Sequence, residues 1–450
     1  SADYAIEKDV TGAINLANAD GSNALVLPEQ VIEVRFSDKS YLVESVFTGL
    51  GEEQVNTTID RNQDTPTIAT LSDGGYVIVW QSQNENYEYR RISGQRFNAA
   101  GEEVGSEFQV SASIDGDLNR PEVTGLADGG FVVVWQANDQ DGSGWGIYGQ
   151  RYAADGSILG SQFLVNTTTD DNQEWPVVTG LADGGFVVIW DQGGNRTHGQ
   201  IYDASGDAQG GEITIVDSNN YDSRAGRPSV DELPDGGFVV VWTGWDNSGY
   251  GVYGHRYDAS GTAQGSQFLA NTTIDNNQQN ADVTVLSDGG FVVTWMSNDG
   301  SDWGVFGQRY DAEGLAVGNE FRANTYTSNR QWRPEAAALS DGGFVITWQS
   351  QNQDGDGRGV YGQRFDALGD FVGEEFQVNE TTNNDQWRPA IAGLDDGGFV
   401  ITWMSHDNWD WGIDQQRFES GTQLVDGDLI IGGVGDDLLV GGAGDQTLVG

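Results

Sequence analysis

A short segment that recurs seven times constrains the fold of this chain more than any other feature. It reads Leu, any residue, Asp, Gly, Gly, an aromatic residue, three β-prone residues and Trp, as in LADGGFVVIW at 181–190. Its aspartates recur at a nearly constant interval along the chain, and they are Asp73, Asp128, Asp183, Asp235, Asp288, Asp341 and Asp396. A regular period of roughly 50 residues, built on strand signals, predicts a propeller or an array.

One repeat unit has the content of a propeller blade. Around the third copy, the sequence predicts a first strand at 177–181, a second at 186–190 and a third at 199–203, while residues 162–165 form the fourth strand of the unit before. Four strands of about five residues and their turns fill such a period. We therefore predict an all-β fold, a seven-bladed β-propeller of four-stranded antiparallel blades, over residues 51–420.

The chain should close its ring with a strand from the N-terminal side. Residues 52–56 (EEQVN) match the fourth-strand segment 375–379 (EFQVN), and Asn56 precedes Asp73 by the same interval as Asn379 precedes Asp396. Closure of this kind removes an exposed sheet edge. A competing segment, 428–431, could fill the same position from the C-terminal side. Residues 1–50 lie outside the repeat; the runs at 31–36 and 41–47 predict a hairpin, and we assign this β-rich element no role.

Tryptophan divides the loops of the predicted propeller into two classes. The hairpins of the Asp-Gly-Gly segment lie on one face, and the loops before the first strand and between the second and third strands lie on the other. Seven of the 15 tryptophans end second strands. The others belong to loops of the second face, and they are Trp145, Trp175, Trp245, Trp303, Trp332, Trp387, Trp409 and Trp411.

These loop tryptophans are the candidate ligand-binding residues. The loops mix indoles with Asp, Asn and Gly, as in NDQDGSGW at 138–145 and SHDNWDW at 405–411. Aromatic faces with nearby acceptors suit sugars, and the same carboxylates suit Ca²⁺, which prefers oxygen ligands. The alternative interpretation is a set of solvated loops, each with a buried indole at its base.

Two further repeated elements are typical of scaffold. Asp-Gly between strands is the expected composition of a tight hairpin that needs a positive φ. An arginine recurs in the third strand of every unit except one, where Ile201 replaces it. Because its planar guanidinium binds carboxylates and carbonyls, we expect this arginine to link neighbouring blades.

Composition limits the partners and the chemistry. The formal charge of -48, from 69 acidic and 21 basic residues, opposes binding to nucleic acid or anionic lipid. No apolar run is long enough to span a membrane, so no membrane insertion is expected. The chain has no cysteine, which excludes disulfides and thiol nucleophiles. Its three histidines, His198, His255 and His406, lie in different repeats, which argues against a histidine-based triad or metal site.

The C-terminal residues carry a recognisable metal-binding pattern. Residues 432–440 (GGVGDDLLV) fit the nine-residue unit Gly-Gly-x-Gly-x-Asp-x-apolar-x of Ca²⁺-binding β-rolls, and 441–449 fit it except at Gln446. Here the chain resembles the secreted RTX (repeats-in-toxin, haemolysin-type calcium-binding) proteins of Gram-negative bacteria. The resemblance is confined to this C-terminal segment, and we expect 421–450 to be the beginning of a longer RTX tract. It implies Ca²⁺ ligands at Asp428, Gly433, Gly435, Asp437 and Asp445.

The same resemblance implies that the protein is located outside the cell. Members of the family leave by type I secretion without a cleaved N-terminal signal, are acidic and poor in cysteine, and fold when they meet Ca²⁺. The N-terminal residues SADYAIEKDVTG lack the basic and apolar regions of a signal peptide. We therefore expect an extracellular or cell-surface protein with Ca²⁺ as its cofactor.

Three functions remain open at this point. The first is a binding or adhesion module that holds a polysaccharide or another cell-surface component on its loop face. The second is a subunit that associates with itself into a surface layer or filament. The third is a polysaccharide hydrolase or lyase, because spacing in sequence does not fix how far apart two carboxylates lie in space. We favour a non-catalytic role and leave enzymatic activity open.

Overall fold

The structure is a computed structural model of the chain. It describes residues 48–58, 61–83, 89–111, 117–193, 196–217, 226–246, 248–298, 302–407 and 410–420, and the backbone of strand segments at 4–8, 14–18, 25–27, 33–35, 40–47, 421–425 and 429–431. The chain divides into two compact units. One comprises 51–417, and the other comprises 1–50 with 418–450.

The smaller unit contains short strands near both ends of the chain. Strands β1 (Tyr4–Lys8), β2 (Ile14–Asn18) and β3 (Leu25–Leu27) form an antiparallel sheet. Strand β4 (Glu33–Arg35) pairs with the first residues of β5 (Ser40–Gln54), in the register that joins Val34 to Tyr41. The hairpin predicted between the runs 31–36 and 41–47 is thereby confirmed.

The larger unit is a seven-bladed β-propeller with four-stranded antiparallel blades. The first strands of the blades are β6 (Gln63–Thr70), β10 (Leu118–Gly125), β14 (Gln173–Gly180), β18 (Gly226–Glu232), β22 (Gln278–Val285), β26 (Gln331–Ala338) and β30 (Gln386–Gly393). The second strands are β7 (Tyr76–Gln83), β11 (Phe131–Asn138), β15 (Phe186–Gln192), β19 (Phe238–Trp245), β23 (Phe291–Asn298), β27 (Phe344–Gln351) and β31 (Phe399–Asp407).

Third and fourth strands complete each blade. The third strands are β8 (Arg90–Phe97), β12 (Trp145–Tyr152), β16 (Arg196–Tyr202), β20 (Tyr250–Tyr257), β24 (Trp303–Tyr310), β28 (Arg358–Phe365) and β32 (Asp410–Val425). The fourth strands of the first six blades are β9 (Glu103–Gln109), β13 (Ile158–Leu164), β17 (Ala208–Asp217), β21 (Ala263–Leu269), β25 (Ala316–Arg322) and β29 (Phe371–Gln377). Strand β33 (Leu429–Ile431) pairs with β32 at Thr422–Leu424.

The seventh blade takes its fourth strand from the N-terminal side, because β5 lies beside β32 in the sheet. Val55 N–H donates to the Ile413 carbonyl at 2.8 Å, the same bond that Val378 makes with Val360 in the sixth blade. The Glu52 carboxylate accepts from the backbone N–H of Glu380 at 2.7 Å. The segment 52–56 therefore occupies the fourth-strand position for which its register argued.

Second strands form the core because both of their faces are covered. Their near-continuous apolar runs are the pattern of a fully buried strand. In β11, for example, Phe131 and Trp135 are fully buried. Each apolar cluster joins adjacent blades: Trp80 of the first blade packs in one cluster with Val400 of the seventh. Within a blade, aromatic rings stack, as Phe131 does on Tyr152 with centroids 4.6 Å apart.

The Asp-Gly-Gly segment forms the predicted tight hairpin. In the first blade Gly74 has φ +80°, which a residue without a Cβ adopts at little cost. Its neighbour Gly75 is required for a different reason, since a Cβ there would collide with the Phe97 carbonyl of the third strand. The Asp73 carboxylate accepts from the Gly75 N–H at 2.9 Å. The segment is thus a structural turn in this blade, and the same aspartate bond recurs in the other six.

The antiparallel pairing places the connections on two faces. We call the face with the Asp-Gly-Gly hairpins and the turns between third and fourth strands the turn face, and the opposite one the loop face. First strands begin at the loop face, and in the third blade the strand starts at Gln173, earlier than the predicted 177. A β-bulge between Glu174 and Val177 explains the difference, because it interrupts the alternation by which a strand is recognised.

Candidate functional site

A central channel runs between the seven first strands. It forms a cavity of about 740 Å³, lined by residues of β6, β10, β14, β18, β22, β26 and β30. This volume falls within the range of roughly 300–1,000 Å³ that is usual for small-molecule sites. The channel is therefore large enough for a short oligosaccharide or a chain end.

Seven side chains surround the channel near the loop face, one from each blade. They occupy the bulge of each first strand, have φ between 53° and 56°, and line the cavity. We call this set the mouth ring, and its members are Thr65, Arg120, Trp175, Arg227, Asn280, Arg333 and Arg388. A left-handed conformation is unusual for residues other than glycine, and bulges commonly re-aim a side chain. Here the bulge directs one side chain of every blade towards the channel axis.

Side chains of the preceding blade hold these bulges in place. The backbone N–H of Arg120 donates to Gln81 Oε1 at 3.1 Å, and those of Trp175 and Arg388 donate to the equivalent glutamines, Gln136 and Gln349, at 3.0 Å each. Each donor and its acceptor belong to neighbouring blades. Closure of the propeller therefore positions the mouth ring.

Arginine and tryptophan dominate the mouth ring. The guanidinium carbons of Arg120 and Arg227 lie 2.9 and 4.3 Å from the Trp175 ring centroid, so that the indole lies between two cations. Arg227 also donates to Asn280 Oδ1 at 2.6 Å, and Arg388 donates to the Thr65 hydroxyl. These contacts link Arg120, Trp175, Arg227 and Asn280 into one group and Arg388 and Thr65 into a separate pair.

In the described part of the chain, carboxylates act electrostatically on the arginines of the mouth ring but do not pair with them directly. None of the four guanidinium groups forms an ion pair there. Burial, the larger cause, and repulsion from the other ring arginines together lower the pKa of Arg120 and of Arg333 to about 9. The ring is a concentration of positive charge in an otherwise acidic protein.

Carboxyl groups line the channel two residues below the ring. Burial raises the pKa of Glu122 to about 8 and that of Asp282 to about 6, and it raises the pKa of Glu335 well above its ordinary value. The Thr67 hydroxyl donates to Glu122 Oε2 at 3.2 Å, and the Ser229 hydroxyl donates to Asp282 Oδ1 at 2.8 Å. At neutral pH, Glu122 therefore holds a proton that it could donate, and burial favours the protonated form of Glu335 as well.

Three of the predicted tryptophans meet in one sector of the loop face. Trp387 and Trp411 have centroids 5.2 Å apart, and the Arg358 guanidinium lies 4.5 Å from the Trp387 ring and 5.6 Å from the Trp332 ring. His406 packs edge-on against Trp411 at 4.7 Å. This aromatic sector adjoins the mouth ring, since the Arg388 guanidinium lies 5.4 Å from the Trp387 ring.

The remaining predicted tryptophans are dispersed. Trp145 and Trp303 begin the third strands of the second and fifth blades and are half-buried. Trp245 is 42% exposed and meets Tyr250 edge-on, with centroids 5.7 Å apart. Trp409 lies outside the described residues. The tryptophans predicted as one binding face therefore divide into Trp175 in the mouth ring, the aromatic sector of Trp332, Trp387 and Trp411, and isolated positions.

The predicted metal ligands cannot be placed in the structure. Asp428, Gly433, Gly435, Asp437 and Asp445 all lie outside the described residues. Among the residues that are described, no group of three or more His, Cys, Asp or Glu side chains is arranged to hold a metal ion. The same part of the chain has no helix long and apolar enough to cross a bilayer.

The arginine repeated in the third strands has a fixed partner. It forms an ion pair with the Asp-Gly-Gly aspartate of its own blade, as Arg309 does with Asp288 at 3.1 Å. We call this set the turn-face arginines: Arg96, Arg151, Arg256, Arg309, Arg364 and Arg417. Arg96 and Arg151 also donate to a carbonyl of the next blade, at 2.8 and 2.7 Å. The predicted link between blades is confirmed for these two, although the carboxylate partner belongs to the same blade.

Sequence reasoning missed the four arginines of the mouth ring. A signal was present, because the residue before the first-strand proline or alanine is Thr, Arg, Trp, Arg, Asn, Arg and Arg in successive blades. Variation at one position of an otherwise regular repeat marks a residue that the scaffold does not require. The sequence predicts Trp175 as a ligand-binding residue only because it is a tryptophan in a loop of the second face.

Comparison with known proteins supports the fold. No family model matches the chain, and no curated protein matches it. A solved structure of a protein of unknown function from Dyadobacter fermentans covers 83% of this chain and 99% of its own, at 11% identity and a TM-score of 0.54. A polysaccharide lyase of the ulvan lyase family PL25, bound to GlcA(1-4)Rha3S, covers 81% of this chain and 95% of its own, at 12% identity and a TM-score of 0.55. At these identities the likeness is one of fold.

Proposed function

We propose that this propeller binds a polysaccharide at the loop-face mouth of its channel and cleaves it, as a lyase or a hydrolase. The observation that carries the proposal is the pair of buried carboxyl groups Glu122 and Glu335, which line the channel just below the mouth ring and whose pKa values burial raises, that of Glu122 to about 8. A carboxyl group with a raised pKa, placed in a cleft, is a candidate general acid. The ulvan lyase that shares the fold, solved with a saccharide bound, supports a reaction of this class.

The side chains in the channel fit the demands of glycosidic bond cleavage. Hydrolysis needs one protonated carboxyl group for the leaving oxygen and one carboxylate as base or nucleophile. Glu122 suits the first role, and Asp282, whose pKa is raised only to about 6, is ionised at neutral pH and suits the second. Elimination instead needs positive charge at the developing enolate, which a ring arginine would supply.

The aromatic sector would hold the chain that enters the channel. Indole faces stack on the C–H faces of sugar rings and add binding energy without fixing the linkage. Trp387 and Trp411 lie together at the edge of the mouth ring and are both half-buried. A polysaccharide that crosses the loop face would contact them before its scissile bond reaches Glu122.

A depolymerisation assay tests this proposal. The protein is incubated with a panel of neutral, carboxylated and sulfated polysaccharides, and both reducing ends and unsaturated sugars are measured. We expect one substrate to be cleaved, and cleavage to be lost in Glu122→Gln or Glu335→Gln while the turn-face variant Arg309→Gln keeps it. Absence of products from every member of the panel, or full activity in both glutamine variants, would contradict the proposal.

A second candidate function is adhesion without cleavage. It is favoured by Trp245, which is 42% exposed on the loop face beside Tyr250 and away from the channel. In that case glycans would bind and Trp245→Ala would weaken binding, with no products formed. Self-association into a layer would instead appear as light scattering on addition of Ca²⁺. Secretion and Ca²⁺ binding by the nonapeptide units stay predictions.

A further inference from the structure

Within the described residues, the four ring arginines form no ion pair, although the protein is rich in carboxylates. The chain has 69 acidic and 21 basic residues, so a basic side chain rarely lacks a carboxylate nearby. All six turn-face arginines have such a partner. In the described part of the chain, Arg120 and Arg333 donate no side-chain hydrogen bond to protein either. Their guanidinium N–H groups are therefore available to a ligand that enters the channel.

Carboxylates next to the ring are bound by other groups. Asp64 lies 4.0 Å from Arg90 and accepts from the Gln81 amide, and it acts on Arg388 electrostatically without forming an ion pair with it. Asp191 accepts the backbone N–H of Arg227 at 3.0 Å and the Thr197 hydroxyl at 3.2 Å. Glu174 acts on Arg120 only at longer range. These interactions leave the guanidinium groups themselves without a bound anion.

Burial of two carboxyl groups below the ring favours their neutral forms and so reduces the negative charge next to the arginines. Glu122 and Glu335 would otherwise oppose the arginines from two residues below. Burial raises the pKa of Glu122 to about 8 and that of Glu335 well above its ordinary value, whereas Asp282, two residues after Asn280, stays ionised at neutral pH. A partly buried charge that forms no ion pair attracts a counter-ion more strongly than the same charge in water does.

We propose that the mouth ring binds the anionic group of an acidic polysaccharide, a sulfate ester or a uronate carboxylate, and so selects this substrate class. The inference rests on the proposed function and names the substrate of the same site. The planar guanidinium presents two parallel N–H donors that match the oxygens of sulfate and carboxylate. Trp175, which lies between Arg120 and Arg227, would hold these two guanidinium groups in position for the anion.

Dextran and dextran sulfate provide a matched test, because they share a backbone and differ in charge. Binding of each to the full chain is measured by titration calorimetry, with polygalacturonate as the carboxylate arm. We expect dextran sulfate or polygalacturonate to bind and dextran not to bind. The sulfate and carboxylate arms together show which anion the ring prefers.

Two double variants assign the binding to the ring. In Arg120→Gln with Arg333→Gln, affinity for the bound polyanion should fall by at least about a hundredfold, since each charge-assisted bond contributes roughly a factor of ten or more. In Arg151→Gln with Arg309→Gln, which removes two turn-face arginines, affinity should be unchanged. Circular dichroism confirms that both variants are folded.

Each outcome decides separately on the two proposals. If neither polyanion binds, or if both double variants bind equally well, the ring does not select anions and the inference is wrong. If the protein cleaves a neutral polysaccharide and the ring variant cleaves it equally well, the inference is wrong, but the proposed function is still supported. Ring-dependent binding of a polyanion without any cleavage would support the inference and overturn the proposed catalysis.

Discussion

The two sets of arginines in this propeller have the same chemistry and opposite surroundings. A turn-face arginine occupies one position of the repeat and pairs with one repeated aspartate, as Arg309 does with Asp288. An arginine of the mouth ring occupies a position that other blades fill with Thr, Trp or Asn, and it forms no ion pair among the described residues. The fold gives every turn-face arginine an ion-pair partner, and it gives the described ring arginines none.

This difference separates scaffold from site in a repeat protein. A residue that every blade needs is repeated together with its partner, because each interface between blades poses the same packing problem. A residue needed once per molecule appears as an exception to the repeat. Unsatisfied charge is also costly to hold in a partly buried place, so it points to a ligand that satisfies it.

The largest expected effect comes from the carboxyl groups below the ring. Glu122→Gln keeps the shape and the hydrogen-bonding capacity of a protonated acid but cannot release a proton. If Glu122 is the general acid, the rate constant of cleavage should fall on the order of a hundredfold or more. Steady-state kinetics with the substrate found in the depolymerisation panel would show it, and an unchanged rate constant would assign the acid elsewhere.

Stability should respond to pH through the same residue. Burial raises the pKa of Glu122 from 4.5 to about 8, while Thr67, Arg120, Asp282 and Glu335 face it. Between these pH values the unfolded chain binds fewer protons, so this group makes the free energy of unfolding fall as pH rises. Glu122→Gln removes that contribution.

Urea unfolding of both proteins at low and high pH checks this linkage. The stability of Glu122→Gln relative to the wild type should increase from about pH 5 to about pH 8. The comparison between variant and wild type removes the general repulsion within an acidic chain, which affects both. An identical difference at both pH values would show that Glu122 titrates normally.

The two sets of arginines should differ in how much they contribute to the stability of the fold. Arg309→Gln loses its ion pair with Asp288 and should lower the free energy of unfolding by about 1 kcal/mol. Arg333→Gln removes a buried charge that its neighbours repel, so its stability should equal or exceed that of the wild type. Thermal unfolding midpoints of the two variants measure the contrast. A large loss of stability in Arg333→Gln would mean that the mouth ring is scaffold.

The smallest effect concerns the third blade, where Ile201 replaces the turn-face arginine. Asp183 has no arginine partner in the described part of the chain, yet it keeps the turn bond to the Gly185 N–H at 2.8 Å. Asp288→Asn should cost a few tenths of a kcal/mol up to about 1 kcal/mol, and Asp183→Asn should be close to neutral. Equal losses in the two variants would show that the aspartate acts through its turn alone.

Most of the fold could be predicted from the sequence because the repeat states it seven times. The period gave the number of blades, the glycines gave the hairpins, and the match between 52–56 and 375–379 indicated the closing strand. The first strands were predicted too short, since a bulge with a non-glycine residue at positive φ has no sequence signal comparable to Gly74.

The candidate site was less accessible, because it exists only after the ring closes. Arg120, Arg227, Arg333 and Arg388 belong to four different repeats, and each by itself reads as an ordinary polar residue at a strand start. Trp175 was predicted as a ligand-binding residue, but its position between two guanidinium groups depends on three separate blades. The sequence shows the type of each residue, but which side chains become its neighbours depends on how the blades pack into a ring.

The central claim is that the mouth ring binds an anion and the turn-face arginines do not. A crystal structure of the protein grown with a short sulfated oligosaccharide tests it most directly. We expect a sulfate group within hydrogen-bonding distance of at least two of Arg120, Arg227, Arg333 and Arg388. An oligosaccharide bound elsewhere while the ring arginines pair with the protein's own carboxylates would contradict it.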